Sequence, residues 1–103
     1  MAVKTYKITE RLTNEEKFGL NEQMRRCLFS VSSYISEGTA KLTSNDKAHF
    51  MTMSYGSSLE LLNQAIISKE LNFISDDDYL HLRAEIESMT NKINALRNHF
   101  LNS

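Results

Sequence analysis

Near the end of this 103-residue chain, Tyr79, Leu82, Ile86, Met89, Ile93, Leu96 and Phe100 recur at alternating intervals of three and four residues. Side chains at that spacing fall along one stripe of an α-helix and form a seam for another helix to pack against. If the helix runs from Asp76 to Leu101 it is about 39 Å long at ~1.5 Å per residue, so whatever covers the seam must be long as well. The chain holds no proline and only three glycines, Gly19, Gly38 and Gly56, and nowhere sustains β-branched alternation over a strand's length. The predicted fold class is therefore all-α. At this length a single domain spanning 1–103 closes one core, with too few apolar residues for a second.

Helix start signals divide the chain. Thr13 precedes Glu16, Thr43 precedes Asp46 and Ser75 precedes Asp78, each a hydroxyl three residues ahead of a carboxylate. In such a capping box the hydroxyl accepts from an orphan first-turn amide, while the acid meets the positive end of the helix dipole. Three boxes make four segments. The first, about residues 2 to 12, is short and offers Val3, Tyr6, Ile8 and Leu12. The second, about 14 to 37, carries Leu20, Met24, Cys27, Leu28, Val31, Tyr34 and Ile35, with Gly38 placed to close it in a left-handed turn. The third, about 44 to 71, spreads Phe50, Met51, Met53, Tyr55, Leu59, Leu61, Leu62, Ala65, Ile66 and Ile67 around more than half its circumference and needs cover from more than one side. Asn72 is placed as its left-handed stop. Short connections then predict an up-down-up-down four-helix bundle with a short first helix. One groove is left incompletely filled near the chain start, to be covered by residues preceding Met1 or by another subunit.

Two stretches interrupt the apolar pattern with small and polar residues: Ser30, Ser33, Glu37 and Gly38, then Gly56, Ser57, Ser58 and Glu60. Close backbone approach and shared hydrogen bonds explain such notches. Arg25, Arg26, Ser30, Glu37, Gly56, Ser57 and Glu60 are accordingly the candidate packing and assembly residues. A second reading makes Glu37 and Glu60 the carboxylates of a small enzyme or ligand-binding bundle, which requires a closed polar pocket where they converge with a histidine.

Other chemistry finds little support in the residue pattern. His49, His81 and His99 form no histidine pair on one helix face, and His81 with Glu85 offers two ligands where structural zinc takes four. No metal and no cofactor is expected. The single cysteine, Cys27, has no disulfide partner in the chain and stands among Leu28 and Val31, which reads as a packed thiol in a reducing compartment. Phosphate loops, dinucleotide fingerprints and serine elbows need glycines that this chain lacks. The expectation is that it is no enzyme. With no apolar run of ~18 residues and no signal-peptide core, a cytoplasmic protein without a membrane partner is expected.

The formal net charge is -1, so any affinity for nucleic acid must be local. Residues 1–41 hold seven basic and five acidic side chains, and residues 42–103 five and eight. Lys4, Lys7 and Arg11 follow three-and-four spacing, with Lys17 next, and these four are the candidate contacts for an anionic partner. In one chain so few phosphate contacts give weak, salt-dependent binding, whereas a ring of subunits repeats them.

Several segments together resemble the four-helix-bundle family of bacterial 23S ribosomal RNA intervening-sequence proteins. Phe18-Gly-Leu, Gln23-Met-Arg-Arg26, Ser30-Val-Ser-Ser33 and Ile35-Ser-Glu-Gly38 look like its second helix. Gly56-Ser-Ser-Leu-Glu60-Leu-Leu, continuing through Ala65 to Lys69-Glu-Leu, is similar to its third, and Asn72-Phe-Ile-Ser75 to the turn before its last. The likeness spans about residues 6 to 100, with Ser33 where asparagine is usual and Thr13 where proline is usual. It implies a homopentamer with a central channel and brings no established catalytic activity. A related branch, the accessory variability determinant of diversity-generating retroelements, is a basic pentamer that binds nucleic acid and reverse transcriptase. The resulting expectation is a non-enzymatic, homo-oligomeric assembly or scaffolding protein, associated with RNA, a ribonucleoprotein or another protein partner.

Overall fold

A computed structural model describes residues 15–102, and the fold there is all-α. Helix α1 spans Glu15–Thr39, α2 spans Ser44–Glu70 and α3 spans Asp76–Leu101. The short first helix expected over residues 2 to 12 and the start signal at Thr13 lie outside the described residues. What is seen is an up-down-up array measuring 46 × 21 × 19 Å. Side-chain contacts give the directions. Along α1 and α2, Ser54 bonds to Val31 and Ser68 to Met24, so the partners run in opposite senses. Between α2 and α3, Lys69 lies over Tyr79 while Lys47 lies over Phe100. Helix α2 is the middle member: it packs on both neighbours, and no Cα of α1 comes within 8 Å of a Cα of α3.

The helix ends follow local chemistry. Thr43 takes an extended backbone and its hydroxyl accepts from the amide of Asp46 at 3.1 Å, while Ser75 does the same for Asp78 at 3.0 Å. Asp76, Asp77 and Asp78 then occupy the first turn of α3, where the helix dipole favours negative charge. Asn72 has φ 57°. Its amide donates to the Lys69 carbonyl at 3.0 Å and that of Phe73 to the Ser68 carbonyl at 2.8 Å, the paired bonds of a Schellman stop.

Gly38 departs from expectation. It has no positive φ and sits buried inside α1, which continues to Thr39. A Cβ built there would stand 2.6 Å from Met51 Cε and 2.8 Å from Phe50 Cβ. The glycine is therefore a point of close helix approach, where the first turns of α2 press against the last turn of α1.

The core draws on all three helices: Met24, Cys27, Leu28 and Val31 from α1, Met51, Leu61 and Ala65 from α2, and Tyr79, Leu82, Ile86, Met89 and Ile93 from α3. The α3 seam holds for its first five members and then opens, since Leu96 is 37% exposed. On α2 the inward stripe keeps Met51, Leu61 and Ala65 of the expected apolar set but fills the rest with small residues. Ser54, Ser58 and Ser68 are fully buried there with Ala48 and Ala65, whereas Leu59, Ile66 and Ile67 face outward. Small side chains let both neighbouring helices approach the middle one. Each hydroxyl finds an acceptor: Ser54 the Val31 carbonyl at 2.9 Å, Ser58 the Tyr55 carbonyl at 2.6 Å, and Ser68 the Met24 sulfur at 3.7 Å. Burying a hydroxyl is tolerable on those terms.

Candidate assembly groove between α1 and α2

Glu16, Gly19, Gln23, Arg26, Ser30, Ser33 and Glu37 follow one another at intervals of three and four and so mark a second stripe of α1, turned away from the core. Met53, Ser57, Glu60, Gln64, Ile67 and Leu71 do the same on α2. All thirteen are half-buried or exposed. Helices α1 and α2 are antiparallel, and Cys27 of α1 meets Glu60 of α2 at 3.7 Å, so the two stripes border one shallow groove along the outside of the pair. Toward the α1 start the groove deepens into a surface pocket of about 430 Å³, lined by Glu16, Gly19, Leu20, Gln23, Ile67, Leu71 and Phe73. Its floor is apolar, and further along come the small hydroxyls of Ser30, Ser33 and Ser57.

Most of the candidate assembly residues gather on this face. Arg26, Glu37 and Glu60 are exposed, and Ser30 and Ser57 are half-buried. Arg25 sits to one side, half-buried, and pairs with Glu22 one turn earlier at 3.9 Å. Gly56 is exposed, and no described atom beyond its own stretch of helix lies within 4 Å of where its Cβ would be. A close crossing at Gly56 is therefore not made by the described part of this chain, in contrast to the expectation for an internal notch. Ser58, grouped with the notch in the sequence, turns out to belong to the interior.

Glu37 and Glu60 do not converge. Glu60 accepts from the Cys27 thiol, and Glu37 lies ten residues further along α1, about 15 Å away at the helical rise. Neither pairs with an arginine among the described residues. Among those residues, too, no three His, Cys, Asp or Glu side chains come close enough to hold a metal ion. His81 and Glu85 stand on α3, with His81 and His99 exposed, and His49 is exposed at the start of α2. Cys27 is buried. Burial first, and then the neighbouring Glu60 carboxylate, push its pKa up from 9.0, which favours the neutral thiol.

Of the candidate cations, Lys17 is half-buried with its ammonium 5.6 Å from the Phe73 ring centroid, at the pocket rim. Lys4, Lys7 and Arg11 lie outside the described residues. Sequence reasoning missed the interior Ser54 and Ser68 of α2 and the extent of the α1 stripe. The second was available as a three-and-four recurrence of polar residues, which the apolar recurrence on the opposite side obscures.

No described helix is long and apolar enough to cross a membrane. Among curated proteins, none matches the chain. The family model described as 23S rRNA-intervening sequence protein matches residues 1–95. That span takes in α1, α2 and most of α3, including the groove and the serine-lined middle helix. By this match the chain belongs to the 23S rRNA-intervening sequence protein family.

Proposed function

We propose that the protein is a non-enzymatic assembly module of the cytoplasm, a four-helix bundle with a short first helix that self-associates, as a pentamer on the family likeness, and works as a scaffold associated with RNA. The observation that carries the reading is Gly56. A glycine inside a helix is destabilising by ~1 kcal/mol relative to alanine and needs a compensating contact. Gly38 has one within the chain, and Gly56 has no described neighbour. It opens onto the outer side of α2 between Thr52, Met53, Leu59 and Glu60, which border the groove stripe, and the missing side chain leaves room there for another helical backbone to approach.

The bundle reading is supported by the separation of α1 and α3, which both lean on α2 without meeting. That is the relation of diagonal members in an up-down-up-down bundle, whose remaining corner falls to the residues before Glu15. The RNA half is supported by the family's description and by the basic spacing of Lys4, Lys7, Arg11 and Lys17, which oligomerisation repeats around a ring. Titration of the full chain against fluorescent structured RNA, from about 50 to about 200 mM salt, tests it. Binding that weakens steeply across that range supports RNA association. Its absence at the lower salt removes RNA from the proposal. No observation favours the catalytic alternative, since its two glutamates sit apart and exposed.

A further inference from the structure

One end of the molecule, where α1 finishes, α2 begins and α3 finishes, interleaves cations with aromatic rings. The Lys41 ammonium lies 4.9 Å from the Phe50 ring centroid, and Tyr34 and His49 tilt against the same ring at 6.4 and 5.8 Å. Lys47 reaches from the first turn of α2 across both neighbours, donating to the Thr39 carbonyl of α1 at 3.5 Å and lying 5.4 Å from the Phe100 ring of α3. His99 stands edge-on to Phe100 at 5.6 Å. Further along the outside of α2 and α3, the Arg97 guanidinium lies 5.9 Å from the Tyr55 ring. Phe50, Tyr55 and Phe100 are half-buried against the core, which fixes each ring and leaves part of it at the surface. Leu42, at the tip of the turn beside Lys41, is 98% exposed. The opposite end carries Glu16, Glu70, Asp76, Asp77 and Asp78 beside Lys17 and Lys69.

We propose that this end is a docking surface for single-stranded RNA. A single strand brings a phosphate backbone and unstacked bases, and fixed aromatic rings beside mobile cations offer a partner to each: bases stack on the rings while the ammonium groups turn to the phosphates. Duplex RNA exposes no free base face to these rings, and a protein partner of acidic character would use the lysines without them. This inference rests on the RNA association proposed above and assigns it residues other than the four cations named there.

The test measures fluorescence polarisation of a labelled single-stranded oligoadenylate of about 12 nucleotides with the full chain. Three variants accompany it: Lys41→Glu with Lys47→Glu, Phe100→Leu, and Lys69→Glu at the opposite end as control. Expected are at least tenfold weaker binding and a salt slope smaller by about 1.4 for the double variant. Phe100→Leu, which keeps an apolar plug, should bind about fivefold or more weakly with its salt slope unchanged, and the control should match the unaltered protein. Circular dichroism melts confirm that each variant is folded. If the unaltered chain binds but both end variants bind equally well, the surface is overturned while RNA association stands. Loss with the double variant alone, and equally for duplex RNA, overturns the single-strand assignment. No binding by the unaltered chain overturns both.

Discussion

Gly38 and Gly56 are both helical glycines with ordinary backbone angles, yet their surroundings are opposite. At Gly38 the space of the missing Cβ is taken up by Met51 and Phe50 of the next helix. At Gly56 no described atom beyond its own stretch of helix comes within 4 Å. The first glycine is explained by the fold of the described chain. The second is not, and the difference separates the inner face of the helix pair, which the chain fills itself, from an outer face that the described residues leave open.

The sharpest break in this comparison is Gly38→Ala. The added methyl group collides with Phe50 Cβ, which is the root of a side chain and cannot swing aside, so stability should fall by about 1 to 3 kcal/mol, as overpacking usually brings. A urea melt that shows no loss would mean that α1 and α2 are not in close approach there. Gly56→Ala should act with the opposite sign on a dissociated chain, raising stability by roughly 0.5 to 1 kcal/mol through helix propensity. The same substitution should weaken self-association if the outer face is a contact. Melts at two protein concentrations separate these contributions, and a gain at both would weaken the assembly reading.

The smallest effect concerns Cys27. Its folded-state pKa is raised, so the neutral thiol is favoured in the native protein, and the associated stability is fully present below the unfolded-state value near 9.0 and is lost as pH rises toward the folded value. Stability should therefore decline above about pH 9, and Cys27→Ala should flatten that decline even though the loss of the buried sulfur lowers stability throughout. An unchanged alkaline slope in the variant would remove Cys27 as its source.

What could be read from the sequence was local. The hydroxyls at Thr43 and Ser75 and the left-handed Asn72 each act within a few residues, and all three stop or start helices where their chemistry indicates. The α3 seam was also legible, because an apolar three-and-four recurrence has one dominant cause. Helix α2 was harder. Its buried serines look polar in a linear pattern and become interior only because Val31, Tyr55 and Met24 supply acceptors, two of them from another helix. The two glycines were indistinguishable for a similar reason: what a missing side chain makes room for depends on which helix lies opposite, and the residue itself carries no mark of that. The groove was half legible. Arg26, Ser30, Ser33, Glu37, Ser57 and Glu60 stand out in the sequence, whereas the second reading, in which Glu37 and Glu60 share a pocket, fails on their axial separation.

The central claim is that the outer α1–α2 face is a contact between copies of this chain, and sedimentation velocity of the unaltered protein beside Gly56→Leu tests it most directly. The account predicts a sedimenting species several times the chain mass, which the leucine breaks into smaller species while circular dichroism shows helix content preserved. A monomeric unaltered protein, or an oligomer that the leucine leaves intact, would contradict it.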